Sequence, residues 1–465
     1  MAHLNELDAL YAFLAAAAVT ALLTPLTMRL AVAVGAVDEP RERGLSNRAT
    51  PLLGGLAIFA GVLVAALVWL PAGFQKDAHL WHGLLIGACV VTLVGALDDR
   101  FELPPWAKLA GQVVAAAIVV SFGVDVKNLT LPFIGALQLP DAGPTNAGPI
   151  LTVIGLVAMM NVVNLSDGAD GLAAGVGVII AGTLAVIAFD LHRAAPGVLA
   201  ALTAGAALGF LIHNFPPASS FMGDCGSNLL GLLMGAIAVE AAVKTTAVVS
   251  FVLPLILLAV PFLDTTFVVL KRLKYRRPIY AADSEHFHHR MARIGFSERR
   301  TIAYLYAWTL MLAGLALALR FVPYSDHKGH LHTGWALVMI GLALLVGAAS
   351  IYLVYVLEIL KFRRLDALRL RRLRPEASVA EIEHRVALDL QTGEYDAVVL
   401  APGADTRERS RGSAVWAEGG RGERQMDQDR IGAEGERRDA QPAAVGDGGQ
   451  RQQPDRIPGQ KPSGR

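Results

Sequence analysis

Aspartates recur in the short polar interruptions of an otherwise apolar chain, and their company points to phosphate chemistry. Asp38, Asp98, Asp99, Asp167, Asp170 and Asp224 each stand beside the end of a hydrophobic run. Carboxylates held close together repel and raise one another's pKa, and a bound divalent cation relieves that. All-oxygen ligands favour Mg2+, or Mn2+ in its place, over zinc. Mg2+ takes only one or two protein carboxylates and fills its shell with water and substrate phosphate, so the other acids must do something else. Lys108, Arg41, Arg48, Arg276, Arg277 and the histidines His286, His288 and His289 fall in the same set of interruptions. Cations beside acids suit a metal-bound, polyanionic substrate, and phosphoryl transfer asks a protein mainly to position reactants and neutralise charge. Gly168, Gly171, Gly223 and Gly226 allow a substrate to approach the backbone closely.

Each element also has a plainer explanation. Asp98-Asp99-Arg100 could be a solvated helix end, and Arg41, Arg43 and Arg48 could act only as topology signals. The histidine run could be a surface patch; a structural zinc would need Cys or Glu partners at ligand spacing, which the sequence lacks. Asn161, Asn164 and Asp167, three apart, follow one side of a helical end and could bond neighbouring helices instead. Asp264 lies within an apolar run just after Pro261. An acid in that setting is a functional candidate by default, or it packs against a kinked backbone. Cys89 and Cys225 form no disulfide framework.

The elements that must position these groups are membrane helices. Of the 465 residues 54% are hydrophobic and 17% charged, too apolar for one soluble domain, where about a quarter are charged. A spanning helix needs about 20 mostly apolar residues. That criterion predicts an all-α polytopic membrane protein of about eleven transmembrane helices, near 9–34, 52–71, 81–97, 107–124, 149–166, 171–191, 197–214, 228–242, 246–270, 302–322 and 334–360. The N-terminus lacks the basic region and cleavage site of a removable signal peptide. Loops after the odd-numbered spans hold about 14 Lys and Arg against about six in the others, which puts the odd loops in the cytoplasm, the N-terminus outside and the C-terminus inside. Asp38 to Pro51, Asp98 to Arg100, Asn161 to Gly171, Phe221 to Asn228 and Tyr275 to Arg293 all fall on those loops. Distant motifs would then meet at one cytoplasmic membrane surface.

Three stretches are the most specific: Gly95-Ala-Leu-Asp98-Asp99-Arg100 followed by Lys108-Leu-Ala-Gly-Gln112, Asn161-Val-Val-Asn164-Leu-Ser-Asp167-Gly-Ala-Asp170-Gly171-Leu172, and Phe221-Met-Gly-Asp224-Cys-Gly-Ser227. In order and on alternate loops, they closely resemble the polyprenyl-phosphate N-acetylhexosamine-1-phosphate transferases (glycosyltransferase family 4). The resemblance runs from about Asp38 to Arg293. It implies transfer of a sugar phosphate, most simply GlcNAc-1-phosphate, from a UDP-sugar to a polyprenyl phosphate, with release of UMP. It also implies roles that spacing does not give. Asp224 and Asn164 look like metal contacts, Asp98 and Asp99 resemble the pair that handles the lipid phosphate, and Lys108 looks like a diphosphate contact. Asp167, Asp170 and His286, His288 and His289 are similar to residues placed around the nucleotide sugar, while Asp38, Arg48, Asn161, Arg276 and Asp264 are secondary candidates. MraY-type members, which use a MurNAc-pentapeptide donor, typically carry three consecutive histidines. Here the run is His286-Phe287-His288-His289-Arg290, which resembles the WecA/TagO-like branch feeding cell-envelope polysaccharides. The expected partners are a UDP-N-acetylhexosamine and a polyprenyl phosphate lipid in the plasma membrane. Nucleic acid is not expected, and a homodimer is left open.

Two rivals fit less well. The CDP-alcohol phosphotransferase signature starts at Asp170-Gly171 but meets Gly175 where it needs Arg, and Leu184 and Ala188 where it needs Gly and Asp. A secondary transporter would place acids near the midplane, where Asp264 stands almost alone. After the transferase region, taken as 1–360, residues 361–402 hold a basic juxtamembrane stretch suited to anionic headgroups and a short helix from Ser378 to about Leu390. Residues 403–465, rich in Gly, Arg, Glu and Gln, read as a disordered cytoplasmic tail.

Overall fold

The computed structural model describes residues 4–38, 49–73, 78–126, 128–131, 135–138, 147–243, 256–260, 262–263, 266, 291, 297–324 and 332–359. The chain divides after Val398, and every described residue lies before that point. The boundaries expected near 360 and 402, the basic stretch and the short helix after Ser378 lie outside the described residues.

Ten α-helices run through the described residues: α1 (Glu6–Val34), α2 (Gly54–Gly73), α3 (Ala78–Phe101), α4 (Pro105–Ser121), α5 (Ala147–Ser166), α6 (Leu172–Asp190), α7 (Ala194–Asn214), α8 (Gly223–Ala238), α9 (Glu298–Phe321) and α10 (Thr333–Ile359). They coincide with ten of the expected spans; the ninth, 246–270, lies mostly outside the described residues. Seven are long and apolar enough to cross a membrane: α1, α3, α5, α6, α7, α9 and α10. α2 and α4 are shorter apolar helices, and α8 runs on into a π-helical turn, Val239–Val243. Two antiparallel pairs depart from a purely helical expectation. β1 (Val37–Asp38) pairs with β2 (Thr50–Pro51), and β3 (Asn128–Leu131) with β4 (Gly135–Gln138). Both join helix ends, where backbone groups no longer bonded within a helix need other partners.

Local sequence sets the helix ends. Asn5 accepts from Leu7 N and Asp8 N at 2.9 and 3.0 Å, while Asp8 accepts from Asn5 N, so a capping box starts α1. Gly35, with φ 76°, ends it. Along α1 the buried positions Ala9, Ala12, Ala16, Thr20, Thr24, Thr27 and Ala31 form a narrow seam. Small side chains of this kind bring membrane helices together through close packing. α7 supplies the facing glycines: a Cβ on Gly205 would lie 2.1 Å from Phe13 O. The core centres on α6, α7 and α8, with Phe210, Ile180, Leu184, Leu199 and Leu202 fully enclosed. α10 is its opposite, presenting Leu337, Val338, Leu344, Leu345 and Ile351 outward. Trp308 Nε1 on α9 donates to Ser350 Oγ on α10 at 2.9 Å, and Arg320 of α9 pairs with Asp190 of α6.

One end of this bundle gathers the polar motifs. Leu52 N donates to Ala36 O, Phe221 N to Pro51 O, and Gly54 N and Gly55 N to Phe221 O and Met222 O, all between 2.9 and 3.0 Å. The loop before α8 is therefore stitched to the start of α2, which is in turn stitched to the end of α1. α8 also lies unusually close to α2 and α3. A Cβ on Gly55 would sit 2.1 Å from Gly226 N, and one on Gly95 would sit 2.4 Å from the Cα of Cys225. Backbone cannot yield as a side-chain tip can.

Gly55→Val is expected to cost about 1–3 kcal/mol or more through overpacking, read as a lower thermal midpoint and less monodisperse protein in detergent. Gly155→Val, where an added Cβ meets nothing within 4 Å, should behave like wild type. Equal behaviour of the two variants would contradict the close helix approach.

Candidate functional site

The site is built where the C-terminal ends of α3 and α5 meet the N-terminal ends of α4 and α8. Asp98, Asp99 and Asp224 place carboxylate oxygens within 4.8 Å of one another. Asp98, at the end of α3, is buried and accepts from Leu103 N at 2.8 Å. Lys108, in the first turn of α4, reaches across to pair with Asp98 and lies 3.0 Å from Asp224 Oδ2. When ionised, three carboxylates against one ammonium leave an excess of about two negative charges at short range, and desolvation strengthens the mutual repulsion.

Asp99 works on the backbone. Its Oδ1 accepts from Asp224 N at 2.7 Å and its Oδ2 from Cys225 N at 3.2 Å. The residue before α8, Met222, offers no capping side chain. Asp99 of α3 therefore caps α8 across the helix interface, satisfying N–H groups that have no partner within the helix and meeting the positive end of its dipole. Gly223, with φ 67°, is required for this approach, since a Cβ there would lie 2.3 Å from Asp99 Oδ2.

Asp224 is held from several sides. Asn164 Nδ2, at the end of α5, donates to Asp224 Oδ1 at 2.8 Å and to Ser227 Oγ at 2.9 Å. Asn161, one turn earlier, donates to Gln112 Oε1 at 2.7 Å. Gln112 Nε2 donates to Asn228 Oδ1 at 2.8 Å, and Asn228 Nδ2 to Asp224 O at 2.8 Å.

Beside this cluster runs the loop from α5 to α6. Burial, then the charges of Asp224, Asp99 and Asp170, push the Asp167 carboxyl up to about 8. Burial also raises Asp170, against the N–H of Ala218, which donates to its Oδ2 at 2.7 Å. Gly171, with φ 74°, donates from N to Asn214 Oδ1 at 2.9 Å, and its carbonyl accepts from the Tyr306 hydroxyl of α9. Asn214 Nδ2 bonds Ser220 O at 2.9 Å, and Arg299 Nε bonds Pro216 O at 3.1 Å. α7 and α9 thus clamp the loops on either side of the acids.

Of the residues singled out in the sequence, Asp98, Asp99, Lys108, Asn164 and Asp224 meet directly, Asn161 joins through Gln112, and Asp167 and Asp170 flank them. Asp38 sits on β1 opposite Thr50 and, among the described residues, has no hydrogen bond or ion pair to the acidic cluster. Arg48, Asp264, Arg276, His286, His288 and His289 lie outside the described residues. Gln112, Asn214, Ser227, Asn228 and Tyr306 join the site with no role expected of them from the sequence. Gln112 follows Lys108, and Asn228 follows Asp224, by four residues, the spacing that puts them on one helix face. Nothing in the local sequence marks Asn214 or Tyr306.

The donor set fits a hard divalent cation: carboxylate oxygens with no thiolate or imidazole among the described members, and an ammonium already lodged between two of them. Asp98 and Asp224 each turn one oxygen to Lys108, and a cation displacing that ammonium would meet those two oxygens, whereas both Asp99 oxygens are engaged by α8 N–H groups.

Residues 81–242, which contain this cluster, match the family model described as glycosyl transferase family 4. Over 315 residues the chain is 33% identical to a probable undecaprenyl-phosphate N-acetylglucosaminyl 1-phosphate transferase of Bacillus subtilis, covering 66% of this chain and 84% of the relative. It is 36% identical over 337 residues to a decaprenyl-phosphate N-acetylglucosaminephosphotransferase of Mycolicibacterium smegmatis, covering 67% of this chain and 82% of the relative. A phospho-N-acetylmuramoyl-pentapeptide-transferase of the same organism is 32% identical over 359 residues, covering 68% of this chain and 97% of the relative.

Tyr306→Phe removes one hydrogen bond from the clamp and is expected to cost about 1 kcal/mol, lowering the thermal midpoint by a few degrees. An unchanged midpoint would show that α9 does not hold the Gly171 loop.

Proposed function

The chain belongs to glycosyl transferase family 4, and from that membership and the cluster's geometry we propose that it transfers GlcNAc-1-phosphate from UDP-GlcNAc to a polyprenyl phosphate. The products are UMP and a polyprenyl-diphosphate-linked sugar for cell-envelope polysaccharide. The convergence of Asp98, Asp99, Asp224 and Lys108 at the capped end of α8 carries the proposal.

Asp224 and Asp98 would hold a Mg2+ ion, with Asn164 joining them if its amide oxygen, rather than the Nδ2 now donated to Asp224, turns inward. Bound there, the ion would supply neutralisation of the diphosphate charge and of the departing UMP. Lys108, half exposed on the rim, contributes a mobile positive charge to the phosphates. Asp98 lies beside it, placed to meet the lipid phosphate. A lipid phosphate already carries negative charge near neutral pH, so Asp98 serves chiefly to orient and to take any remaining proton. The oxygen of that phosphate attacks the phosphorus bearing the sugar, the bond to the UMP oxygen breaks, and UMP leaves. Asp99 keeps α8 aimed at this point. Asp167 and Asp170 border the space for the nucleotide sugar, and the resemblance assigns His286, His288 and His289 to the same substrate.

The full arrangement proposed is about eleven spans, with the cluster on the cytoplasmic side of the plasma membrane, the N-terminus outside, and a transferase region at 1–360 followed by a cytoplasmic tail. Lys and Arg placement supports that orientation. A MurNAc-pentapeptide donor is the second reading, supported by the 32% identical relative; the His286-Phe287-His288-His289 pattern favours the GlcNAc donor.

Full-length protein with polyprenyl phosphate, Mg2+ and a panel of UDP-sugars should release UMP with UDP-GlcNAc and far less with UDP-MurNAc-pentapeptide; the reverse preference would overturn the donor assignment. Asp224→Ala should cut UMP release by about 10^2–10^3-fold, and near-normal release would remove Asp224 from the centre. Lys108→Met should lower turnover yet hold or strengthen Mn2+ binding, because the carboxylates lose their competing cation. Weaker Mn2+ binding in that variant would contradict the charge balance.

A further inference from the structure

We propose that Gln112 is a positioning residue for the cation site, acting through a buried relay of side-chain amides that ends on the backbone of Asp224. The proposal rests on the reading of Asp224 as a cation ligand.

The relay crosses three helices. Asn161 on α5 donates to Gln112 Oε1 on α4 at 2.7 Å, Gln112 Nε2 donates to Asn228 Oδ1 on α8 at 2.8 Å, and Asn228 Nδ2 donates to Asp224 O at 2.8 Å. Every bond runs in the same direction, amide N–H to oxygen, toward Asp224. Gln112 and Asn228 are almost fully enclosed, at 4% and 5% exposure. Neither can reach a substrate, so their effect must pass through what they hold. An enclosed amide without partners is costly, and here Gln112 uses its acceptor on one helix and its donor on another.

The consequence falls on Asp224. Asp99 takes its N–H at 2.7 Å and Asn228 binds its carbonyl at 2.8 Å. Its carboxylate receives Asn164 at 2.8 Å and Lys108 at 3.0 Å. Both peptide groups and the side chain of this residue are therefore fixed from α3, α4, α5 and α8 together. Asn161 and Asn164 lie one turn apart on α5, so that helix braces Asp224 twice, directly and through Gln112. Lys108 and Gln112 lie one turn apart on α4, which joins the charge on the rim to the brace beneath it. Groups that orient a ligand typically change metal affinity about 10–100-fold when removed, while leaving the ligand atoms in place.

The test is Mn2+ binding to the full-length protein in detergent, followed by loss of the free-ion EPR signal, with the thermal midpoint measured beside it. Gln112→Met keeps length and apolar volume but loses both hydrogen bonds. It should weaken Mn2+ binding about tenfold or more, with the midpoint lowered by a few degrees because Asn228 Oδ1 loses its partner; a lowered midpoint with Mn2+ binding as in wild type would mark a merely structural role. Asn161→Leu, which breaks the relay at its first bond, should weaken binding less, and the double variant should be no worse than Gln112→Met alone. Should Gln112→Met fail to fold, weakened Mn2+ binding by a folded Asn161→Leu, with its midpoint within a few degrees of wild type, carries the same weight. Asp224→Asn separates the two levels. If it abolishes Mn2+ binding while Gln112→Met and Asn161→Leu bind as wild type does, the relay is overturned and the cation site stands. If Asp224→Asn binds Mn2+ normally, the cation site itself is wrong and the relay falls with it.

Discussion

A carboxylate on one helix caps the exposed N–H groups of another. Asp99 at the end of α3 receives the amides of Asp224 and Cys225, and that bond sets where Asp224 stands among the other charged groups. It fixes the first turn of α8 against the last turn of α3, and so brings Asp224 beside Asp98. Lys108 then has two acids to pair with rather than one. The bond forms only because backbone can meet backbone. Gly55 and Gly95 leave no side chain between α8 and its neighbours, and Gly223 gives Asp99 room to enter.

Charge placement follows the physics of the membrane. Ionised groups at mid-bilayer are expensive, and this cluster draws its members from helix termini, where unpaired N–H groups and helix dipoles offset part of that cost. The amides that penetrate deeper are neutral and mutually satisfied: Asn161, Gln112 and Asn228. Ammonium, acid and amide thus grade from the rim inward. Farther from the centre, Tyr306 and Arg299 tie the loops after α5 and α7 to α9, and Asn214 ties those two loops to each other, so they have few ways to move independently.

Much of this was legible in the sequence because hydrophobic length and polar interruption are local signals. The stretches that became α1 to α8, α9 and α10 stand out by apolar length, and Asp98, Asp99, Lys108, Asn164 and Asp224 by their place in quoted motifs. What Asp99 does was not legible. Its partners lie 125 and 126 residues away, and an aspartate that caps a distant helix looks the same in sequence as one that binds phosphate. Tyr306 was hidden for a similar reason, sitting 135 residues from Gly171 within an apolar helix. Gln112 and Asn228 did leave a trace, in their four-residue spacing from Lys108 and Asp224. The β1–β2 pair left none, since two-residue strands carry too little periodicity to detect.

Phosphorus hyperfine coupling to a bound Mn2+ ion tests the central claim most directly, because it asks whether cation and donor share this one place. With UDP-GlcNAc added to the manganese-loaded full-length protein, pulsed EPR should resolve 31P coupling from a single ion per chain. Manganese bound without any phosphorus nearby, or no bound manganese at all, would contradict a centre built to hold a diphosphate against the capped end of α8.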